Sequence, residues 1–337
     1  MSGLKKKKLG QFNTTNVDYI FEGFEKAIES KNIIDPFCGK NDLINWAIKH
    51  KAKTTFGIDI DDSLKEPNIY QDSLKNPYDY KKDSFILMNP PYLAKNKTKD
   101  KSIFLKYKTD DLYKASIQSV MKADEGIFIV PINFLSSREN KTRKLFFSDF
   151  YIEKCKLFEK KVFSDTTSTV IAFHYKRGKH KPFPLLIEPS KKEMLITLKA
   201  EYNYLFGSKF FDIIEKGKGH GIKRLRLGDP TPSSKLFLNA LDGGSNKNRI
   251  SLSLAEPFYG KATDRAKATL VLKQDLNLET QQLICDKFNE ILEKYREEYH
   301  SLFLSNYRES SSLYARKRIG FEQSYKLVGA IIKDIKK

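Results

Sequence analysis

The residues of this 337-residue chain best placed to do chemistry are Asn89-Pro90-Pro91-Tyr92 and three acids upstream of them, Asp35, Asp59 and Asp72. The tetrapeptide follows Ser84-Phe85-Ile86-Leu87-Met88, an apolar run that reads as a buried strand ending where the prolines begin. In open α/β sheets ligands bind at that end of a strand. Two consecutive prolines stiffen the loop, so the Asn89 amide and the Pro90 carbonyl are held in fixed directions. Such a planar donor-acceptor edge can read another planar polar group.

The acids stand at comparable places. In Asn32-Ile33-Ile34-Asp35-Pro36-Phe37-Cys38-Gly39-Lys40-Asn41-Asp42-Leu43 a short apolar strand leads into a glycine-bearing loop and then an apolar helix through Trp46 and Ile48. Gly39 lets a ligand approach the backbone, and Asn41 tolerates the left-handed conformation where a second glycine is usual. A pyrophosphate-gripping loop carries three glycines, so one Gly with Asp35 at its mouth suits a ligand without pyrophosphate and disfavours a nicotinamide oxidoreductase. The next apolar run, Thr54 to Asp61, ends in acids, and Asp59 comes 24 positions after Asp35. An acid there can accept both hydroxyls of a ribose, whereas Asp61 or Asp62 caps the next helix. Asp72 falls where a third strand ends, positioned to accept from an exocyclic amino group.

The elements that must hold these residues can be read in order. Val17, Ile20, Phe21 and Phe24 predict a helix, capped by Thr14, Thr15 or Asn16. Four strands then end at Asp35, Asp59, Asp72 and Asn89. The polar, basic stretch Leu93 to Lys101 reads as a loop bordering the site and able to touch phosphates. A helix opens at Asp111, a strand runs over Gly126-Pro131, and Ile152-Phe158 with Thr169-Tyr175 suggests a hairpin closing a seven-stranded mixed sheet. The pattern breaks near Lys176-Pro184, which sets a boundary between residues 1–180 and 181–337. Beyond it lie a basic cluster (Lys223, Arg224, Arg226), an Asp242-Asn246 turn, and a long helix whose Leu283, Ile284, Phe288, Ile291, Leu292, Tyr295, Tyr299 and Leu302 form a core stripe. Tyr307, Arg308, Arg316, Lys317 and Arg318 add a basic patch.

The formal net charge is +19, from 61 Lys and Arg against 42 Asp and Glu. An excess of this size, spread along the chain, implies a polyanionic partner, nucleic acid first. Cys38, Cys155 and Cys285 lie far apart and the five histidines make no ligand pair, so neither a disulfide framework nor a metal site is expected. The N-terminal lysines precede no apolar segment and no run approaches 18 apolar residues, so a soluble, unexported protein in a reducing cytoplasm is expected, with no membrane partner.

In their order, these motifs resemble the S-adenosylmethionine-dependent DNA adenine-N6 methyltransferases of restriction-modification systems, in the arrangement whose target-recognition domain is C-terminal. The resemblance covers roughly the first half of the chain. It implies an α/β, Rossmann-like seven-stranded catalytic domain over 1–180 and an α+β target-recognition domain with C-terminal helices over 181–337. It implies that Thr14, Asp35, Phe37, Cys38, Gly39, Asp59, Ile60 and Asp72 hold S-adenosylmethionine, with Asn41 departing from the family's glycine. By the same resemblance Asn89, Pro90, Pro91 and Tyr92 are catalytic and Phe163 packs on the far face of a flipped base. Lys95, Lys97, Arg224, Arg226, Arg308, Arg316 and Arg318 are the candidate DNA contacts. Double-stranded DNA is the implied partner, without a metal, with a cognate restriction endonuclease acting separately and a location in the bacterial cytoplasm, or a host cell's if viral. The tetrapeptide is shared by methyltransferases of protein glutamine or RNA bases, and a non-catalytic DNA-binding module is a further alternative; intact Asp59, Asp72 and Asn89 weigh against the module.

Overall fold

A computed structural model of the chain describes residues 16–137, 139–160, 162–163, 169–243, 249–307 and 316–336. They divide into two compact units, residues 1–204 and 205–337.

The first unit is built on a nine-stranded sheet in the order β3-β2-β1-β4-β5-β7-β6-β8-β9. Its centre is parallel: β1 (Asn32–Asp35) lies between β2 (Thr54–Asp59) and β4 (Ser84–Met88), and β4 continues the ladder to β5 (Glu125–Pro131). All five residues of β4 are buried, as a strand covered on both faces requires. β3 (Ile69–Tyr70) adds a parallel edge to β2. β7 (Val170–Arg177) runs antiparallel between β5 and β6 (Phe150–Phe158), the hairpin expected from the sequence. These seven strands are the anticipated mixed sheet.

The sheet then continues. β8 (Phe183–Glu188) pairs parallel with β6, and β9 (Lys192–Ile196) closes back on β8. The proline-rich break at 176–184 therefore lies inside the first unit, which runs to Tyr204 and not to residue 180. Pro184 sits at the start of β8, opposite Leu195 of β9, and the β6–β8 ladder begins one residue later, at Cys155↔Leu185. The expected first helix is also divided. Val17–Phe21 and Glu25–Ile28 are separate helical turns broken at Gly23, whose φ of +86° lies in the left-handed region. Ile20, Phe21, Phe24 and Ile28 still pack with Trp46, Leu87 and Ile129 in one core.

The second unit is α+β. β10 (Lys223–Arg224), β11 (Leu236–Asn239), β12 (Ser251–Leu254) and β13 (Lys267–Val271) form an antiparallel sheet in the order β10-β13-β11-β12, and β14 (Ser305–Tyr307) pairs with β15 (Arg316–Arg318). Ile284, Phe288, Leu292 and Tyr295 of helix Leu278–Glu298 are buried as expected, but Leu283 is 41% exposed. A 3.6-residue period places it off the buried stripe, where Gln281 and Arg296 are buried instead. Arg296 is paired with Asp242. The helix Phe321–Ile335 crosses the C-terminal end of helix Ser208–Lys216 closely, since a Cβ on Gly217 would lie 1.8 Å from the Lys326 carbonyl oxygen.

Candidate functional site

The loop after β1 is tied to the tip of β2 by its own backbone. Asp35, 1% exposed, ends β1 and accepts the Phe37 amide at 3.0 Å on Oδ1, while its Oδ2 is buried without a hydrogen bond. Burial pushes its carboxyl well above the usual carboxylate range, the Phe37 amide opposes that, and the nearby Asp59 adds to the rise. Gly39, at φ +54°, donates its amide to Asp59 Oδ2 at 2.9 Å, and the Asp61 amide donates to Oδ1 at 2.9 Å. Burial also raises the Asp59 carboxyl, against these amides. Asn41 takes the left-handed conformation (φ 61°) anticipated for it and starts helix Asp42–Lys49. A Cβ on Gly39 would meet nothing within 4 Å, so the loop faces open space. Ile60, one residue past Asp59, is 51% exposed.

Cys38 contributes its main chain to this loop. The Cys38 amide donates to the Ile58 carbonyl at 2.9 Å, and its side chain enters the core. Asp72 follows β3 and spends Oδ1 on the amides of Leu74 and Lys75, each at 3.0 Å. It therefore shapes its own turn, and the neighbouring Ser73 hydroxyl donates to the Pro36 carbonyl at 2.8 Å, joining the third loop to the first.

Asn89-Pro90-Pro91-Tyr92 leaves β4 at the same carboxyl edge of the sheet. The last β4–β5 rung is Met88↔Phe128. Two prolines cannot extend that ladder with amide protons. One residue past the rung, the Ile129 carbonyl oxygen instead lies 2.9 Å from the Tyr92 hydroxyl, which also approaches Asn89 Oδ1 at 2.6 Å. The Tyr92 ring is half-buried, packs on the core and meets Tyr113 edge to face at 6.3 Å. Burial holds its hydroxyl well above the usual tyrosine range, so it stays protonated. The site thus combines buried acids, a glycine loop and a rigid amide edge on neighbouring strands β2, β1 and β4.

The candidate DNA contacts are scattered. Lys95 and Lys97 lie on a short 3-10 turn after the tetrapeptide, Lys97 exposed. Phe163 is buried in the first unit's core with Phe21, Phe158 and Val162. In the second unit, Arg224 spends its guanidinium on the carbonyls of Asp264 (2.6 Å) and Ala262 (2.9 Å), which is a cross-link between loops, while Arg226 is exposed. Arg316 and Arg318 are partly buried on the β14–β15 ribbon. Thr14 and Arg308 lie outside the described residues, as does Thr15.

Several residues that shape the site were not singled out from sequence. A Cβ on Gly57 would meet Asn41 Oδ1 and Cys38 Sγ at 2.9 Å, so the β1 loop can approach β2 only over a glycine. Asn68 accepts the Gly57 amide at 2.7 Å. Asp111, anticipated only as a helix start, accepts the Leu93 amide at 3.2 Å and so fastens the segment after Tyr92. Burial pushes its carboxyl up to about 6. An isolated glycine inside a strand was the signal available for Gly57; nothing local marks the other two.

No protein-family model matches the chain. It is similar to the type II methyltransferase M.HincII of Haemophilus influenzae, 30% identical over 198 residues, which is 53% of this chain and 39% of that protein. Type II methyltransferase M.HindII of H. influenzae Rd is likewise 30% identical over 198 residues, 53% of this chain and 38% of the relative. The chain is homologous to these methyltransferases over that stretch and spans about two fifths of their length. Among solved structures, a modification subunit of a putative type I restriction enzyme from Vibrio vulnificus YJ016 superposes with a TM-score of 0.45 at 16% identity, over 73% of this chain and 59% of that one. A putative class I S-adenosylmethionine-dependent methyltransferase from Listeria monocytogenes gives 0.41 at 18% identity, over 52% and 65%. Likenesses this partial carry no functional weight.

Proposed function

We propose that, as a relative of type II methyltransferases, the chain is a site-specific DNA methyltransferase that modifies the exocyclic N6 amine of adenine in duplex DNA, as the modification enzyme of a restriction-modification system. The observation that carries this reading is the placement of Asn89-Pro90-Pro91-Tyr92 and the Asp35-Gly39-Asp59 loop at one sheet edge, on adjacent strands β4 and β1.

The residues present fit S-adenosylmethionine. Asp59 offers ribose hydroxyls a carboxylate already oriented by two amides, Asp35 keeps a buried oxygen without a hydrogen bond at the mouth of the same loop, and Gly39 leaves open space beside it. Ile60 provides an exposed apolar surface for a flat ring. When bound, that cofactor supplies an electrophilic methyl group on a sulfonium. The chain's own part is to prepare the nucleophile. An adenine amine is a poor one because its lone pair is delocalised into the ring. Asn89 and the Pro90 carbonyl, accepting hydrogen bonds from its two N–H groups, favour a pyramidal nitrogen with a localised pair. Pro91 keeps that edge rigid, and the half-buried Tyr92 ring offers a face to the base. A base in a duplex is out of reach of such an edge, so it must be turned out of the stack.

DNA reading falls, on this proposal, to the second unit. Arg226, Arg316 and Arg318 are its candidate contacts, whereas the Arg224 guanidinium is engaged with backbone carbonyls. The reading is tested by offering the purified protein labelled S-adenosylmethionine with duplex DNA, structured RNA or a glutamine-bearing protein acceptor. Label is expected in duplex DNA. Label found only in RNA or protein would replace this reading with one of its relatives.

A further inference from the structure

Two tight turns of the second unit repeat one design. In Arg226-Leu227-Gly228-Asp229 and in Lys261-Ala262-Thr263-Asp264 the amide of the first residue donates to Oδ2 of the aspartate, at 2.9 and 2.6 Å. The aspartate's own amide donates back to the carbonyl of the first residue, at 3.0 and 3.1 Å. Each carboxylate is therefore folded onto its own turn, where it fixes the tip, and each turn opens on an exposed cation. The turns are neighbours. Arg226 pairs with Gly260 in a parallel bridge, and the Leu227 amide donates to the Gly260 carbonyl at 3.4 Å. Arg224 fastens the second turn to β10 through the carbonyls of Ala262 and Asp264. Beside the cations stands Leu227, 75% exposed, more than any other large apolar residue among the described ones.

A lone exposed leucine needs no explanation. One held up on a hydrogen-bonded turn beside two cations matches a partner that alternates anionic groups with apolar ones, as the backbone of a nucleic acid does. With adjacent strands about 4.8 Å apart, the two turns set their cations at a separation that long side chains can adjust to neighbouring phosphates. We propose that these twin turns are the surface with which the second unit grips the sugar-phosphate backbone of duplex DNA: the Arg226 guanidinium and the Lys261 ammonium each hold a phosphate of one strand, and Leu227 lies against deoxyribose. The inference rests on the DNA-methyltransferase reading above and deepens it, separating residues that hold the duplex from those that read its bases. Deoxyribose, which lacks the 2′-hydroxyl, suits an apolar side chain with no hydrogen bond to offer; ribose would set a polar group against it. A phosphate contact carries no sequence information, so the grip works on any duplex and fixes the register in which other residues meet the bases.

The test is fluorescence anisotropy of the full chain with a labelled DNA duplex of arbitrary sequence, titrated from about 50 to about 200 mM salt. Each phosphate contact contributes about 0.9 to the slope of log K against log salt, so Arg226→Ala combined with Lys261→Ala should flatten it by about two. The control pair, Lys287→Ala with Lys294→Ala, removes the same charge from exposed positions of helix Leu278–Glu298, which is bonded to β12 at the other end of the sheet. It should leave the slope unchanged. Leu227→Ala should weaken binding by about three- to tenfold at every salt concentration with no change of slope. It should leave the binding of an RNA duplex of the same sequence unchanged. An unaltered slope in the first pair, an equal change in the control, or an equal Leu227 loss on RNA would overturn the proposal. Wild-type protein that does not bind the DNA duplex would overturn it together with the functional reading. Slopes as expected in a protein that transfers no methyl group to DNA would count against the functional reading alone.

Discussion

Gly39 donates its amide proton to Asp59 Oδ2 at 2.9 Å, so the loop after β1 is positioned by the acid at the end of β2. One carboxylate therefore shapes the loop and, on the function proposed above, is also the acceptor for the cofactor's ribose. Asp59→Ala should weaken S-adenosylmethionine binding by roughly 10- to 100-fold, the range for losing hydrogen bonds to a charged group. Asn89→Ala should leave that affinity within about twofold while kcat falls about a hundredfold or more. Calorimetry and single-turnover kinetics on the two variants separate these effects, and the same loss of affinity in both would show that the two clusters are not distinct.

Cofactor binding should also depend on pH. The ionised Asp59 is the better acceptor, and burial raises its carboxyl above the ordinary range. Affinity should thus fall as pH drops, through a midpoint above that of an ordinary aspartate. Binding that is constant over the whole acid range in which the protein stays folded would show that Asp59 is not the acceptor.

Two other carboxylates predict opposite pH slopes in stability. Asp111 has a folded-state pKa of about 6, above its unfolded value, so its favourable contribution is present at low pH and lost as pH rises through 6. Asp111→Asn, which keeps an acceptor for Leu93, should stabilise the fold above pH 6 by on the order of 3 kcal/mol and have little effect below pH 4. For Glu125, burial would raise the carboxyl, but hydrogen bonds from His174 (2.8 Å) and Lys31 (2.7 Å) together outweigh it and hold it at about 2. Its contribution is present above the unfolded value and lost as pH falls toward 2. Glu125→Gln should therefore destabilise at pH 6 and converge with the wild type in acid. Urea midpoints across pH 2.5–8 measure both, and parallel curves for either variant would refute its assignment.

Residues 205–337 are expected to choose the DNA sequence. Exchanging this unit for that of a relative with a different recognition site should move methylation to the relative's site, as read by sequencing of modified bases. Within it, an arginine such as Arg316 or Arg318 that reads guanine by a bidentate contact should cost roughly 1–3 kcal/mol at its own site when changed to alanine. Retention of the original specificity after the exchange would place recognition in residues 1–204.

The central strands were legible because their signals are local. Buried runs such as Ser84–Met88 have one reading when prolines follow, and Asn41 could be assigned a left-handed conformation from its side chain alone. What escaped depends on distant partners. The strand at Phe183–Glu188 was hidden by Pro182 and Pro184, because only the register shows that its pairing with β6 begins at Leu185. Arg224 looked like a nucleic-acid contact by charge, yet its partners are carbonyls some forty residues further on. Tyr92 was legible only as a member of the tetrapeptide; the contact of its hydroxyl with Ile129 depends on where β5 lies beside β4.

The most direct test is mass spectrometry of nucleosides from duplex DNA incubated with the protein and S-adenosylmethionine bearing a trideuterated methyl group. The expected product is N6-methyladenine carrying the label, abolished in Asn89→Ala. Label on cytosine, or unlabelled DNA with label in another acceptor, would contradict the assignment.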